Sequence, residues 1–149
     1  MTKPRVLPPT YFYLSLITMI ALHFLFPVLK IIPSPWNAIG VIFLLAGISL
    51  SFIGDGIFRK VGTTIKPCQE STALVTGNVF CLSRNPMYLG YVLLLTGAAF
   101  LMGSLTPFLV IPLFIVLIEK LFIATEEKML TAKFGQVYLD YQGRVRRWI

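Results

Sequence analysis

Apolar residues dominate four long stretches of the chain, Tyr11 to Leu29, Trp36 to Phe58, Tyr88 to Leu105 and Phe108 to Ala124. Each has roughly 17–25 residues, the length a helix needs to cross about 30 Å of hydrocarbon. The pattern predicts an all-α integral membrane fold of about four transmembrane helices, in one domain covering residues 1–149. A polar loop from about Arg59 to Met87 separates the second and third spans. Its segments Gly62 to Pro67 and Ser71 to Gly77 are rich in hydroxyls and turn formers, which predicts one or two short extended stretches. The turn Gly103-Ser104-Leu105-Thr106-Pro107 closes the last two spans into a tight helical hairpin. Beyond it Leu130, Phe134, Val137, Tyr138 and Tyr141 recur at i, i+4, i+7, i+8 and i+11, with Lys128, Lys133 and Asp140 outside the stripe. That spacing predicts a C-terminal amphipathic helix packed on protein or lying in the interface.

Composition sharpens the picture. The 149 residues are 56% hydrophobic and 13% charged, with a mean hydropathy of +0.81, far more apolar than a soluble domain. Lys3 and Arg5 before the first span resemble the start of a secretory signal. The run is too long for that and ends in Phe26-Pro27-Val28-Leu29-Lys30 without a cleavage site, so a retained helix is expected. Lys30 is the only basic residue in the first connection, and the Gly103 turn has none. Lys3, Arg5, Arg59, Lys60, Lys66 and Arg84 lie on the other side, joined by Lys128, Lys133, Arg144, Arg146 and Arg147 if the spans number four. This bias predicts a multi-pass protein with both termini and the middle loop in the cytoplasm, in the inner membrane if the source is bacterial. The same topology accounts for the net charge of +7 through anionic headgroups, so membrane lipids are the expected partners and nucleic acid is not. Cys68 and Cys81 have neither Cys-x-x-Cys spacing nor histidine partners, and no metal site is expected. His23, placed mid-span in the first helix, is expected to make a buried polar contact between helices.

Candidate chemistry gathers at the predicted cytoplasmic face. In Ser83-Arg84-Asn85-Pro86-Met87-Tyr88-Leu89-Gly90, Pro86 suits the first turn of the third span and Asn85 falls near its N-cap. Free amide hydrogens, the positive end of the helix dipole and Arg84 together make a place for a carboxylate or phosphate. Glu119, Glu126 and Glu127 follow the fourth span, where a carboxylate near hydrocarbon is costly unless paired or hydrated. Glu119 and Glu126, seven apart, are expected to share a helix face. Glu126 and Glu127 differ by about 100° around a helix, so at most one should point straight into a pocket. Glu127, three residues before Leu130 and seven before Phe134, is favoured.

Leu74-Val75-Thr76, the Ser83 to Gly90 segment, the helical hairpin, Glu126-Glu127-Lys128-Met129-Leu130, Phe134-Gly135, Tyr138, Tyr141, Val145 and Arg147 together resemble the isoprenylcysteine carboxyl methyltransferase family. That family is related to the integral-membrane phospholipid methyltransferases. Asn85 stands where the prenylcysteine enzymes usually have histidine. The resemblance implies S-adenosylmethionine as methyl donor, bound by Arg84, Asn85, Pro86, Tyr88, Glu126, Glu127, Leu74 and Val75, with Arg84 and Glu127 as catalytic residues. The implied acceptor is a lipophilic small molecule or lipid-modified substrate of prenylcysteine type, reached from the bilayer. A phospholipid amine N-methyltransferase, a sterol-type membrane reductase using NADPH and a non-catalytic membrane interaction protein are the alternatives.

Overall fold

A computed structural model describes residues 7–62 and 73–149. Lys3, Arg5, Lys66, Cys68 and the expected extended stretches between Thr63 and Thr72 lie outside the described residues. Every element described is helical. In order these are α1 (Pro8–Leu25), α2 (Ile39–Val61), α3 (Pro86–Met102), α4 (Leu105–Phe108), α5 (Val110–Ile118), a π-helical turn (Glu119–Ile123), α6 (Ala124–Phe134) and α7 (Gln136–Arg144). Short 3₁₀ turns at Trp36–Ala38 and Asn78–Cys81 precede α2 and α3.

Proline and glycine set most of the boundaries. Pro8 opens α1, and Pro27 ends it early: the residue before a proline is driven out of the helical region, and Phe26 takes φ −135 and ψ 65. The first helix therefore stops at Leu25, short of the expected Leu29. Gly62 (φ 67) and Gly103 (φ 71) terminate α2 and α3 in the left-handed conformation that glycine adopts without strain. The predicted five-residue hairpin turn shrinks to Gly103 and Ser104, because Leu105 already begins the next helix.

From Leu105 to Phe134 the chain runs as one 30-residue helical stretch, interrupted by a turn at Leu109 and by the π turn. With Pro8–Leu25 and Trp36–Val61 it is one of three helices among the described residues that are long and apolar enough to cross a membrane. Helix α3, the remaining predicted span, is apolar but has 17 residues. The outer faces of α1 and α2 leave large apolar side chains uncovered, Phe24 and Phe52 each 74% exposed. Such faces are unfavourable in water and suited to hydrocarbon.

Helices α2 and α3 touch along a glycine seam. A Cβ on Gly47 would lie 2.7 Å from the Gly90 carbonyl oxygen, and one on Gly40 would lie 2.5 Å from that of Gly97. These glycines let two backbones approach where apolar side chains gain little by leaving lipid. The main core joins α1, α3, α5 and the π turn through Met19, Tyr88, Leu95, Phe114, Ile118 and Phe122. A second cluster packs Phe80, Tyr138 and Tyr141 against Ile57, Phe58, Leu74, Val75, Leu130, Phe134 and Val145.

The C-terminal stripe does not lie on one helix. Gly135, at φ 52 and ψ −127, breaks it between α6 and α7. Helical phase restarts at the break, so Tyr138 and Tyr141 are buried while Val137, expected among them, is 65% exposed. His23 lies near the end of α1 and not mid-span, and its polar contact is part-buried and made to the turn after α3, Nδ1 to the Ser104 hydroxyl at 2.7 Å, in place of the expected buried contact between helices.

Candidate functional site

The site forms where the loop before α3, the π turn with α6, and the segment after α7 converge. The 3₁₀ turn Asn78–Cys81 delivers the chain to Ser83, which is fully buried, and then to Arg84. Pro86 occupies the first turn of α3, as predicted, and is buried. Asn85 holds the N-cap position without capping the helix. Its side-chain amide instead donates to the Arg147 carbonyl at 3.1 Å, while the Ser83 hydroxyl donates to the same carbonyl at 3.2 Å. The Arg84 backbone amide donates to the Arg146 carbonyl at 3.1 Å. The loop and the last residues of the chain are thus stitched together before any charge is considered.

Charge then ties the same elements a second time. Glu127 accepts from Arg147 through both carboxylate oxygens, Nε to Oε1 at 3.1 Å and Nη2 to Oε2 at 2.6 Å. Arg84 Nη2 approaches Oε1 of the same carboxylate at 3.2 Å. Arg147 Nη1 also donates to Glu119 Oε1 at 3.3 Å, which accepts from the Trp148 indole at 2.9 Å. These bonds to Glu127 and Glu119 raise the Arg147 pKa. The Tyr88 hydroxyl donates to Glu126 Oε1 at 2.8 Å.

Arg84 is the most confined of the four ion-paired groups, with a side chain 11% exposed. Its Nε and Nη1 are buried and have no hydrogen-bond partner among the described residues. An unsatisfied donor on a buried cation is expensive, so those N–H groups form a ready cradle for an anionic oxygen. Burial, then the charge of Glu127, raises the Tyr138 pKa, while Arg84 and Gln142 oppose the shift. Burial pushes Tyr141 up to about 12, and its hydroxyl donates to the Phe80 carbonyl at 2.6 Å. Both tyrosines are neutral phenols near neutral pH.

The π turn decides which glutamates meet. In an unbroken α-helix Glu119 and Glu126 lie within about 20° and Glu119 and Glu127 about 80° apart; one extra residue in a turn rotates all downstream side chains by about 100°. Glu119 and Glu127 consequently converge on Arg147, and Glu126 turns away to Tyr88. The helix face expected to be shared by Glu119 and Glu126 is thereby lost. Glu126 and Glu127 are both engaged, Glu126 by Tyr88 on α3 and Glu127 by Arg84 in the loop before it.

Beside Glu127 an open recess of about 520 Å³ is lined by Ala124, Lys128, Thr131, Ala132, Gln142 and Arg147 as well. Of the predicted site residues only Glu127 lines this recess; Arg84 and Asn85 adjoin it through their bonds to Glu127 and Arg147, and Pro86, Tyr88 and Glu126 lie behind them. Leu74 and Val75 do not line the recess; they are half-buried against Tyr138 and Tyr141. Arg147 and Trp148 are absent from the predicted site. Their signal was the isolated Glu119, a carboxylate near hydrocarbon whose partners lie 28 and 29 residues away.

Membrane-length helices carrying a part-buried arginine and glutamate network at one end define a membrane protein with a polar site built on helix ends. The chain matches the phospholipid methyltransferase family over residues 36–137 and belongs to it. This family lies in the isoprenylcysteine carboxyl methyltransferase-like superfamily, which makes the protein a membrane methyltransferase in general class. An uncharacterized protein of Haemophilus influenzae is 38% identical over 63 residues, covering 42% of this chain and all of that relative.

Proposed function

We propose that this chain transfers a methyl group from S-adenosylmethionine to a lipophilic acceptor that reaches the site from the bilayer. Arg84 carries the reading: a buried guanidinium with two nitrogens that have no partner among the described residues suits the donor's carboxylate. Its surroundings fit the rest of the molecule. Tyr88 and Glu126 are joined at 2.8 Å beside it and offer an aromatic face and a carboxylate to a positive centre or a ribose hydroxyl. Asn85 and Pro86 hold the loop that aims Arg84.

The donor supplies an electrophilic methyl group on a sulfonium. The protein's own contribution is to orient the partners and keep water out, which needs neither a metal nor a covalent intermediate. Both Glu127 oxygens are engaged by arginines, so that residue organises the site electrostatically in this arrangement.

A prenylcysteine-type carboxylate would attack without a general base. A phospholipid amine, which the family's name supports as a second reading, must first lose a proton. Arg59, Lys60, Arg84, Lys128, Arg144 and Arg146 occupy the loops and helix ends on the site side, whereas Lys30 pairs with Ser104 at the opposite end. That distribution supports a cytoplasmic site.

The test is equilibrium binding of S-adenosylmethionine, S-adenosylhomocysteine and NADPH to the detergent-purified protein. Micromolar binding of the first two is expected. Binding of NADPH alone replaces the reading with a reductase, and binding of none replaces it with a non-catalytic membrane protein.

A further inference from the structure

Helix α7 ends at Arg144, and Val145 continues in extended conformation at φ −121 and ψ 130. The next three residues then touch every part of the site. The carbonyls of Arg146 and Arg147 accept from the Ser83 to Asn85 loop. The Arg147 side chain spans Glu127 on α6 and Glu119 in the π turn, and Trp148 bonds Glu119 while packing on the main core. This strap lies beyond the matched residues 36–137.

Two arginines share Glu127, but they are not equivalent. Arg84 is 11% exposed and Arg147 is 38% exposed, and Arg147 lines the open recess. Arg147 can return to water with a small solvation cost, whereas Arg84 is confined by the loop that the strap itself covers. The four groups Glu119, Glu127, Arg84 and Arg147 sum to zero charge. Without Arg147 they sum to −1, with Glu127 Oε2 uncovered in a poorly hydrated place. Such a charge demands a replacement cation.

We propose that Arg147 is a displaceable resident cation on Glu127, which a cationic ligand replaces and a neutral one cannot. The inference rests on the methyltransferase reading and deepens it. S-adenosylmethionine carries a net positive charge, and S-adenosylhomocysteine, with a neutral sulfur, carries none. Arg147 is then a specificity residue whose guanidinium gives way to the donor and returns once the methyl group has left. The strap's backbone bonds through the Arg146 and Arg147 carbonyls do not need the guanidinium, so they persist when the side chain is changed.

The experiment compares both ligands on the wild type, Arg147→Gln and Arg147→Lys. Removing the resident cation should shift the binding preference toward S-adenosylmethionine by about fivefold or more, with lysine intermediate. Equal weakening of both ligands would make Arg147 a structural support and overturn the proposal while leaving the methyltransferase reading intact. Failure of both ligands to bind the wild type would overturn both. An independent readout keeps the parent side chains at the site: in a Trp36→Phe background Trp148 is the sole tryptophan. Its emission should change on saturation with S-adenosylmethionine and stay constant with S-adenosylhomocysteine. An identical response to both sinks the idea even if the Arg147 variants do not fold.

Discussion

The two ends of the helix bundle are fastened by different chemistry. At the end away from the site, the chain after α1 and the turn after α3 are joined by neutral bonds. Ile31 and Ile32 donate to the Gly103 carbonyl at 2.9 and 3.1 Å, and Leu105 donates to that of Leu29 at 2.9 Å. His23 with Ser104, and Thr106 with the Phe26 carbonyl at 3.1 Å, complete it. At the site end two arginines and two glutamates are added to the neutral bonds from Ser83, Arg84 and Asn85, and Arg84 retains donor capacity. Neutral backbone bonds saturate and leave a turn with little left to bind. A charged network left short of acceptors remains open to a ligand.

Removing one partner from each kind of fastening should separate them. Glu127→Ala leaves the confined Arg84 without its carboxylate, and a loss of about 3–5 kcal/mol in stability is expected. Thermal unfolding in detergent measures it, and a loss no larger than at a surface position would show that the network is well hydrated. Arg84→Ala should weaken S-adenosylmethionine binding by about 1.5–3 kcal/mol through loss of a charge-assisted contact. Unchanged affinity in that variant would remove Arg84 from the site. At the far end Ser104→Ala removes one neutral bond from His23 and should cost about 0.5–1.5 kcal/mol in stability with ligand affinity intact. Altered affinity there would mean that the two ends are coupled. The smallest effect belongs to Arg59→Ala, which breaks an exposed pair with Asp55 at 2.8 Å, Arg59 being 72% exposed. A change within about 0.5 kcal/mol is expected, so burial and not charge alone distinguishes Glu127.

The site was legible in proportion to how local its parts are. Arg84, Asn85 and Pro86 adjoin in sequence, and a proline at a helix start announces itself. Glu127, favoured over Glu126 to point into a pocket, lies between Arg84 and Arg147 and lines the recess. The stripe through Leu130 and Phe134 that favours it lies on α6 before the break. Where helical phase had to be carried across an irregularity, it failed. The π turn at Glu119–Ile123 exchanged the partners of Glu119, and Gly135 turned Val137 outward. Neither irregularity has a strong local signature, since every residue of the π turn suits an α-helix and the glycine sits inside a continuing stripe.

Hydrophobic run length determined by itself that this chain belongs in a membrane, and proline and glycine placed most helix ends, because transfer free energy and backbone sterics act residue by residue. The tertiary structure alone decided that Arg147 and Trp148 reach Glu119, that Arg147 shares Glu127 with Arg84, and that Asn85 serves the strap in place of its own helix. Those contacts depend on how helices separated by tens of residues rotate and dock, and a single extra residue in one turn swings every later side chain by about 100°.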